Sequence, residues 1–405
     1  MVISTSQTTT MSAFGKGVMA FYKKHGFDVY FLAYDNGRLE TIADEGFEFF
    51  NISYVRALDL ISDIKAFFQV MRIFRKLRPD VIQLATTKPC FLCGIAGKLT
   101  GVPLIIRHKW GSLLECNYRG LKRFLLFNAD RVANRLADRI VSVSHELLES
   151  EVDAGTIDAK KGIVYGNGSA FGLNIDFFKL TGEKKKKAIE LRQQWGVGEN
   201  EFVFGTAMRI NIEKGICELV EAFVRLYEKK PYLRLKIAGQ YDIRNSPPEE
   251  IIRTIEEHPG ITFVGFQEDI SVFYAAIDAY VMPSYREGFC NSNLEASGME
   301  KAIVSTDIIG VNGSSVIDGV TGLIVPPRNA EALADAMDRI ASDRELARNL
   351  GRQGRERIVR GFSNKLVWHN QLKDICLLLK KKRIDPPVEP DQIIKEACPL
   401  CSSSY

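Results

Sequence analysis

The chain has 405 residues, of which 46% are hydrophobic and 26% are charged, and its formal net charge is +4. This composition supplies enough apolar side chains for folded cores, which excludes a chain that is disordered throughout. The length is typical of two or three domains. Because no window of about 20 apolar residues occurs, we expect no membrane-spanning helix.

Short apolar segments alternate with amphipathic segments through residues 1–180, which we predict as the N-terminal domain. The predicted strands lie at 29–33, 81–84, 104–107, 139–143 and 162–165, and the predicted helices include 14–25, 64–77 and 119–137. Continuous Val, Ile and Leu runs with helices between them are typical of buried parallel strands in β-α-β units. The pattern predicts a doubly wound α/β domain, with a very short first strand before it.

A basic segment at 181–200, with lysines from Lys184 to Lys187, is predicted as a linker, since a run of like charges is usually solvated. The alternation then restarts over 201–362, with predicted strands at 202–207, 234–238, 261–264, 279–283, 302–306 and 322–325. We predict a C-terminal helix at 363–384 and a mobile tail at 385–405. Two Rossmann-like domains of this kind are expected to face each other across a ligand-binding cleft.

Eight cysteines include two pairs with C-x-x-C spacing. Cys90 and Cys93 lie in an apolar, helical pattern where packing is the expected role, and Cys398 and Cys401 lie in the polar tail. Neither pair has a second C-x-x-C or a His pair at zinc-finger spacing. Together with a start that lacks the pattern of a signal peptide, these cysteines predict a reducing, cytoplasmic setting.

A pair of glutamates follows a predicted strand of the second domain. Glu287 lies in the loop after the strand at 279–283, and Glu295 lies in a helical pattern that begins near Asn291. A helix start in this position presents N–H groups and the positive end of the dipole, which suit a phosphate or diphosphate, and Gly288 allows close backbone approach. Because carboxylates repel phosphates, we expect the glutamates to bind neutral hydroxyls; the alternative for Glu295 is only to solvate its helix.

Two cations supply the positive counterpart. Arg209 lies just past the predicted strand at 202–207, and Lys214 lies at the start of the following helix. Arginine offers a planar fork to phosphate oxygens and lysine a point charge, so the pair can neutralise a diphosphate leaving group. The alternative is a surface salt bridge with Glu213 or Glu218, which would contribute little to stability.

Together these segments make the second half resemble the retaining glycosyltransferases of the GT-B fold, in the large glycosyltransferase group 1 (family 4). The matching residues of the second half include Arg209, Lys214-Gly215, Ala238-Gly239, Val264-Gly265-Phe266, Pro283-Ser284, Glu287-Gly288-Phe289, Leu294-Glu295-Ala296, Ser305-Thr306-Asp307-Ile308, Gly310 and Val316-Ile317-Asp318-Gly319. They occur in the order and spacing of that family, whereas the first half matches it more loosely. Within the family, the chain is most similar to bacterial enzymes of capsule, O-antigen and lipid-linked oligosaccharide assembly.

The resemblance implies a role for each matching residue. Arg209 and Lys214 would bind the donor diphosphate and stabilise it as it leaves. Glu287, the first acid of an E-x7-E motif, would contact the donor sugar, and Glu295, the second, would hold the ribose. The backbone groups that would lie against the donor are those of Gly288, Phe289 and Cys290. The resemblance also implies retention of the anomeric configuration and neither a bound metal nor another cofactor.

Three positions depart from the family pattern or leave a role open. Many members carry a His before a Gly at the end of a strand in the first domain; His108 is the nearest imidazole here, but alignment on Gly111 would place Trp110 there. His108 is therefore a candidate catalytic residue or a structural one. Lys88 is a candidate for contact with an acceptor phosphate or an ordinary surface lysine. Asn293 replaces an expected apolar residue, and we interpret it as facing solvent.

The basic residues are concentrated in one region. Residues 65–135 contain fourteen basic and three acidic side chains, interleaved with aromatic and aliphatic ones. Basic and aromatic residues on amphipathic helices suit an anionic lipid surface, although a core-facing stripe with a solvated basic back has the same pattern. We expect peripheral attachment to the inner face of the cytoplasmic membrane, and no nucleic-acid partner because no nucleic-acid-binding module is recognised.

The function implied is transfer of a hexose or N-acetylhexosamine from a nucleotide-diphosphate sugar, with uridine or guanosine as the base. The acceptor would be a saccharide or a lipid-linked saccharide in bacterial surface polysaccharide synthesis. A nucleotide-sugar 2-epimerase of the same fold is an alternative, as is a catalytically inactive sugar-nucleotide-binding protein. A dinucleotide dehydrogenase is disfavoured because no predicted strand is followed by G-x-G-x-x-G.

Overall fold

The chain divides into two compact units. In the computed structural model, residues 1–8, 16–37, 47–54, 59–114 and 119–397 are described. The first unit comprises Met1–Gly172 together with Asn364–Tyr405, and the second comprises Leu173–Ser363. Each unit contains a parallel sheet with helices between successive strands, so the two Rossmann-like α/β units predicted from the sequence are confirmed.

The sheet of the first unit has the order β3-β2-β1-β4-β5-β6-β7 in the described part of the chain. Its strands are β1 (Val2–Gln7), β2 (Tyr30–Tyr34), β3 (Glu48–Asn51), β4 (Val81–Ala85), β5 (Leu104–Lys109), β6 (Arg139–Ser142) and β7 (Gly162–Ile163). Its helices before residue 172 are α1 (Lys16–Lys24), α2 (Leu60–Leu77), α3 (Thr87–Thr100), α4 (Gly120–Leu136) and α5 (His145–Asp153). The first strand is longer than expected, because the polar residues that follow Ile3 continue its pairing with β2 and β4.

The C-terminal segment completes the core of the first unit. It forms α13 (Asn364–Lys381) and α14 (Pro390–Ala397). Leu372 and Ile375 are buried in the same apolar cluster as Tyr22 and Phe31. Asp374 accepts hydrogen bonds from Arg139 Nη2 and Tyr165 Oη, both at 2.8 Å.

The prediction of a mobile tail at 385–405 is therefore partly wrong. Residues 390–397 form a helix because an apolar side chain of that segment, Ile393, is buried in the core of the first unit. Residues 398–405, with Cys398 and Cys401, lie outside the described residues.

The sheet of the second unit has the order β10-β9-β8-β11-β12-β13 in the part described. Its strands are β8 (Phe202–Ile210), β9 (Leu233–Tyr241), β10 (Ile261–Gly265), β11 (Ala279–Met282), β12 (Ala302–Thr306) and β13 (Gly322–Val325). Its helices are α6 (Gly182–Gln194), α7 (Ile216–Lys229), α8 (Glu249–Glu257), α9 (Ile270–Ala276), α10 (Asn291–Gly298), α11 (Ala330–Ser342) and α12 (Arg344–Gly361). Strands β8 and β9 run three residues past the predicted ends and place Arg209 on a strand.

The segment predicted as a basic linker is a helix of the second unit. Thr181 Oγ1 caps α6 by accepting from Lys184 N at 3.3 Å, and Lys187 pairs with Glu183 at 2.7 Å. Near the C-terminus of this helix, the Nη1 atom of Arg192 lies 3.0 Å from Asp278 Oδ2. The lysine run is therefore the solvated face of a helix whose end is bonded to the sheet, which explains why a linker reading fails.

Two cations of the basic region are buried in the first unit. Lys109 Nζ lies 2.7 Å from Asp130 Oδ2 and 3.0 Å from Glu151 Oε1, and Arg107 also contacts Asp130. Burial alone would raise the pKa of Asp130, but Arg107 and Lys109 hold it below its usual value. These cations are neutralised inside the fold, so they do not contribute to a basic surface.

Candidate active site

The loop before α10 is held by two close backbone approaches in the second unit. A Cβ atom on Gly215 would lie 2.0 Å from the carbonyl oxygen of Pro283, and one on Gly310 would lie 2.3 Å from that of Gly288. Both glycines also have left-handed φ angles, of 72° and 76°. The start of α7, the end of β11 and the Gly288 backbone are therefore packed against their neighbours at distances that only glycine permits.

Lys214 and Glu287 form an ion pair at this loop. Lys214 Nζ contacts Glu287 Oε1, and the two side chains are only 17% and 14% exposed. The turn that carries the lysine is fixed because Asn211 Oδ1 accepts from Lys214 N at 3.0 Å. A mostly buried ammonium and carboxylate that keep some exposure to solvent can bind an anion and hydroxyl groups on adjacent faces of one ligand.

Glu295 lies on α10, partly buried against the core. Its Oε2 accepts from the hydroxyl of the buried Tyr274 at 2.9 Å. Burial raises the pKa of Glu295 to about 7, while the hydrogen bond from Tyr274 acts in the opposite direction. The carboxyl group therefore changes charge near neutral pH, which is typical of groups at functional sites.

Cys290 is a buried residue between Glu287 and Glu295 in the chain. Burial raises the pKa of its thiol to about 12; the charge of Glu287 adds to this shift and that of Lys214 opposes it. The same thiol also influences Tyr274, the partner of Glu295, electrostatically. Lys214 and Glu287 therefore lie near the buried Cys290 before α10, and Glu295 lies on that helix, bonded to Tyr274.

The backbone at 288–290 is ordered by the loop after β12. Cys290 N donates to Gly310 O at 3.3 Å, and the Phe289 ring is buried, 5.9 Å from the ring of Phe362. Among the described residues, no side chain caps the start of α10 at Cys290. The Phe289 ring is packed in the core, and the backbone contact with a donor that the family resemblance implies stays a prediction.

Arg209 lies on β8 and is exposed. Its Nη1 is 3.2 Å from Asp242 Oδ2, and that carboxylate also accepts from Asn211 Nδ2 at 3.4 Å. Because Asn211 orders the turn of Lys214, the two cations are connected through Asp242. Sequence reasoning missed Asp242, which no motif marks.

The alternative partners of the cations are engaged elsewhere. Glu213 Oε2 lies 3.3 Å from Arg286 Nη2, and Glu218 accepts from the hydroxyl of Tyr285 at 2.6 Å. The surface salt bridges considered for Arg209 and Lys214 are therefore not formed with these two acids.

Asn293 does not face solvent, contrary to the prediction. It is fully buried on α10, and its Nδ2 lies 3.2 Å from Ser315 Oγ and 3.4 Å from Ser305 Oγ. Its Oδ1 has no hydrogen-bond partner in the described part of the chain. A polar residue can be buried here because two serine hydroxyls lie within hydrogen-bond distance of its amide group. These two serines are the feature of the sequence that the prediction did not take into account.

His108 lies inside the first unit and is 7% exposed. Its Nε2 is 2.9 Å from Gln83 Oε1 and 3.3 Å from Gln371 Nε2, and burial lowers its pKa to about 4. Together with Trp110, these side chains line a cavity of about 10 Å³. His108 is thus neutral near pH 7 and bonded to the C-terminal helix α13, which fits the structural reading better than a catalytic one.

Lys88, the candidate acceptor contact, is also in the first unit. Its Nζ lies 2.5 Å from Asp63 Oδ1 on α2, and both side chains are mostly buried.

Within the described residues, no group of three or more His, Cys, Asp or Glu is placed to hold a metal ion. In the same part of the chain, no helix combines the length and apolar character that crossing a bilayer requires.

Two family models match the chain. The model described as Glycosyltransferase Family 4 matches residues 19–168, and the one described as Glycosyl transferases group 1 matches residues 187–357. The second match spans every residue of the site around Lys214, Glu287 and Glu295.

Curated proteins match over most of their length. The capsular polysaccharide biosynthesis glycosyltransferase CapM of Staphylococcus aureus is 28% identical over 357 residues, covering 87% of this chain and 90% of that protein. An Escherichia coli UDP-Gal:alpha-D-GlcNAc-diphosphoundecaprenol alpha-1,3-galactosyltransferase is 23% identical, covering 87% and 89%.

A solved structure is similar over nearly the whole chain. Anabaena HepE in complex with UDP and glucose superposes with a TM-score of 0.75 and 18% identity, covering 92% of this chain and 98% of that one. At this identity the likeness establishes the fold alone.

Proposed function

Since this chain is a GT-B glycosyltransferase, with a family 4 domain followed by a group 1 domain, we propose that it transfers a hexose or N-acetylhexosamine from a nucleotide-diphosphate sugar with retention of configuration. The acceptor is a saccharide or a lipid-linked saccharide of a bacterial capsule or related surface polysaccharide. The curated relatives named above support this choice, because one acts in capsule synthesis and another on a diphosphoundecaprenol-linked sugar.

The observation that carries the proposal is the contact between Lys214 and Glu287 beside the start of α10. A donor diphosphate binds Lys214 and Arg209 and the positive end of α10, while Glu287 accepts hydrogen bonds from hydroxyls of the donor sugar. Glu295 accepts from the ribose. The Escherichia coli relative, whose name gives UDP-Gal as its donor, supports uridine as the base.

In the reaction, an acceptor hydroxyl oxygen bonds to the anomeric carbon and loses its proton, while the bond between the sugar and the diphosphate breaks and negative charge grows on the leaving oxygen. The Lys214 ammonium and the Arg209 guanidinium are fixed charges that stabilise this oxygen more than they stabilise the intact donor. With two cations and a helix start at the phosphates, we propose that transfer needs no bound metal or other cofactor.

A donor panel with product analysis tests the function. UDP- and GDP-sugars are incubated with the protein, with and without membrane lipid extract as acceptor, and the products are separated by mass. The proposal expects sugar transfer that requires acceptor. A sugar changed in the absence of acceptor would indicate an epimerase instead, and binding without any product would indicate an inactive binding protein.

A lysine pair supplies the matched control for the site. Lys214→Ala is expected to abolish the thermal stabilisation by the preferred donor, because it removes the ammonium from the diphosphate. Lys229→Ala removes an exposed lysine from the other end of α7 and should leave the stabilisation unchanged. Full stabilisation of Lys214→Ala by the donor would contradict the proposed role.

We also propose that the first unit attaches peripherally to the inner face of the cytoplasmic membrane. Helix α3 contacts both α2 and α4, and all three expose large apolar side chains. We define the apolar patch as Leu60, Ile61, Ile64 and Phe68 of α2 with Leu121, Phe124 and Leu125 of α4, which all lie in the first halves of their helices. Leu99 is exposed near the end of α3. Exposed basic residues accompany it on α2 and at the start of α4, as an anionic lipid surface requires.

A further inference from the structure

A surface cavity of about 420 Å³ lies in the first unit, at the C-terminal part of α4. Arg131 and Arg135 line it from the helix, and the loop after α5 lines it with Gly155, Thr156 and Asp158. None of these residues belongs to the donor site or to the basic group at the start of α4. The cavity is wide enough for a small anionic group, and its cationic side chains come from one helix.

The charges around the cavity are not balanced. Among the described residues, neither Arg131 nor Arg135 is paired with a carboxylate. Asp158 is the acid of the lining, and its Oδ1 already accepts from Lys160 N at 3.0 Å. The neighbouring Asp130 points into the fold, where Arg107 and Lys109 neutralise it.

The arginines are also not needed to end the helix. Lys161 Nζ donates to the carbonyl oxygens of Arg135 and Ala137, at 2.9 and 2.8 Å. The negative end of the α4 dipole therefore already has a cation. Both guanidinium groups remain available to an external anion.

One face of α4 joins this cavity to the apolar patch. Leu121, Phe124, Asn128, Arg131 and Arg135 follow each other at alternating spacings of three and four, so they share one face of the helix. Leu121 and Phe124 are 72% and 64% exposed. With a rise of 1.5 Å per residue, Arg131 lies about 10 Å along the axis from Phe124. The face is thus apolar at its start and cationic at its end.

We propose that the cavity binds the phosphate of an anionic phospholipid headgroup when α4 lies on the membrane. Two arginines bind a phosphate through forked hydrogen bonds, and the apolar residues of the same face enter the adjacent acyl region. A free phosphate would not require the apolar half of this face, which is why we assign a lipid as the occupant. The proposal rests on the membrane attachment proposed above and adds a defined headgroup site to it.

Vesicle binding measures this site. Sedimentation with vesicles of phosphatidylcholine containing 30% phosphatidylglycerol (about a third anionic, enough for a negative surface) is compared for the native chain and for Arg131→Gln/Arg135→Gln. We expect about thirty-fold weaker binding for the double variant, since each basic residue near such a surface contributes about fivefold. The matched control is Arg348→Gln/Arg352→Gln, which removes two exposed arginines at the same spacing from α12 and should bind like the native chain.

A second pair of variants tests the charge of the cavity at nearly constant side-chain size. Gly155 has a left-handed φ of 65° and open space around its Cβ position, so Asn and Asp are both accommodated there. Gly155→Asp places a carboxylate at the cavity and is expected to weaken vesicle binding about fivefold or more relative to Gly155→Asn. Equal binding by these two variants would overturn the headgroup site.

The outcomes separate this inference from the proposals it rests on. If the native chain binds vesicles and the arginine variant binds them equally well, the headgroup site is wrong and membrane attachment stands. If the native chain binds no vesicles, both are wrong. Donor-induced thermal stabilisation should be the same in all these variants, and its absence from the native chain would contradict the proposed donor site instead.

Discussion

The hydroxyl of Tyr274 lies 2.9 Å from Glu295 Oε2 and holds this acid against the core of the second unit. Tyr274 comes from α9 and Glu295 from α10, so the contact between these helices fixes the position of Glu295, the residue proposed to bind the ribose. Burial of the same carboxyl group raises its pKa to about 7, so its charge changes near neutral pH.

Glu295 should make stability depend on pH. Burial raises its pKa to about 7, so the folded state disfavours the ionised form; the stability associated with this group is fully present below about pH 4.5 and is lost as the pH rises through 7. We expect Glu295→Gln to remove about 2 kcal/mol of this decline, measured by urea unfolding between pH 5 and 8. Parallel curves for the native chain and the variant would contradict the assignment.

Ionisation of Glu295 should strengthen donor binding, whereas it lowers the stability of the folded state. An ionised Glu295 accepts from two ribose hydroxyls better than a neutral one, so donor affinity should rise between pH 6 and 8 in the native chain. Calorimetry on Glu295→Gln, which stays neutral, is expected to show a flat dependence.

Gly310 should be required for the shape of the donor loop. In Gly310→Ala, the new Cβ would meet the Gly288 carbonyl at 2.3 Å, so the backbone at 288–290 must move. We expect donor affinity to fall tenfold or more, a loss of about 1.4 kcal/mol, with the unit still folded. Gly319→Ala is the control, since it has a similar φ of 69° with nothing within 4 Å of the added Cβ. An equal loss of affinity in both variants would show that backbone strain alone is responsible.

His108 should contribute to stability and not to donor binding. Because burial lowers its pKa to about 4, the folded state cannot protonate it easily, and stability is lost as the pH falls from about 6.5 towards 4, by up to about 3 kcal/mol. His108→Gln should lose this acid sensitivity, as followed by circular dichroism of thermal unfolding. Loss of donor-induced stabilisation in this variant would restore the catalytic reading.

Charge reversal at the start of α4 tests membrane attachment as a whole. Arg119→Glu/Lys122→Glu/Arg123→Glu should abolish co-sedimentation with anionic vesicles, because the helix would then repel the surface. The corresponding reversal of Arg348, Arg352 and Arg360 on α12 is expected to have little effect. Unchanged binding by the α4 variant would reject the attachment.

Much of the architecture could be predicted from the sequence. The strands β12 and β13 end where their Val and Ile runs predict, and the helix expected next to Lys214 begins at Ile216. Local patterns suffice there because each strand is buried on both faces. The relation of Lys214 to Glu287 was accessible only through the family resemblance, since 73 residues separate them in the chain.

Other features depend on tertiary contacts that no local pattern contains. The lysine run of α6 has the local pattern of a linker. The helix is fixed by the ion pair between Arg192 in its last turn and Asp278, which the local pattern does not contain. Asn293 is a polar residue that the sequence predicts to face solvent. It is buried because Ser305 and Ser315, from two other segments, contact its amide group in the folded unit. The basic count of residues 65–135 overstates the surface charge, because Arg107 and Lys109 are paired with acids inside the fold.

The return of residues 364–397 to the first unit has a consequence for biosynthesis. When the ribosome has released only the first 172 residues, the pocket that later holds Leu372 and Ile375 is still empty, and Arg139 and Tyr165 lack their shared partner Asp374. The packing of the first 172 residues is therefore incomplete until residues 364–397 have also been made. A premature stop codon in α13 would therefore disrupt the core formed by residues 1–172, which are translated well before it.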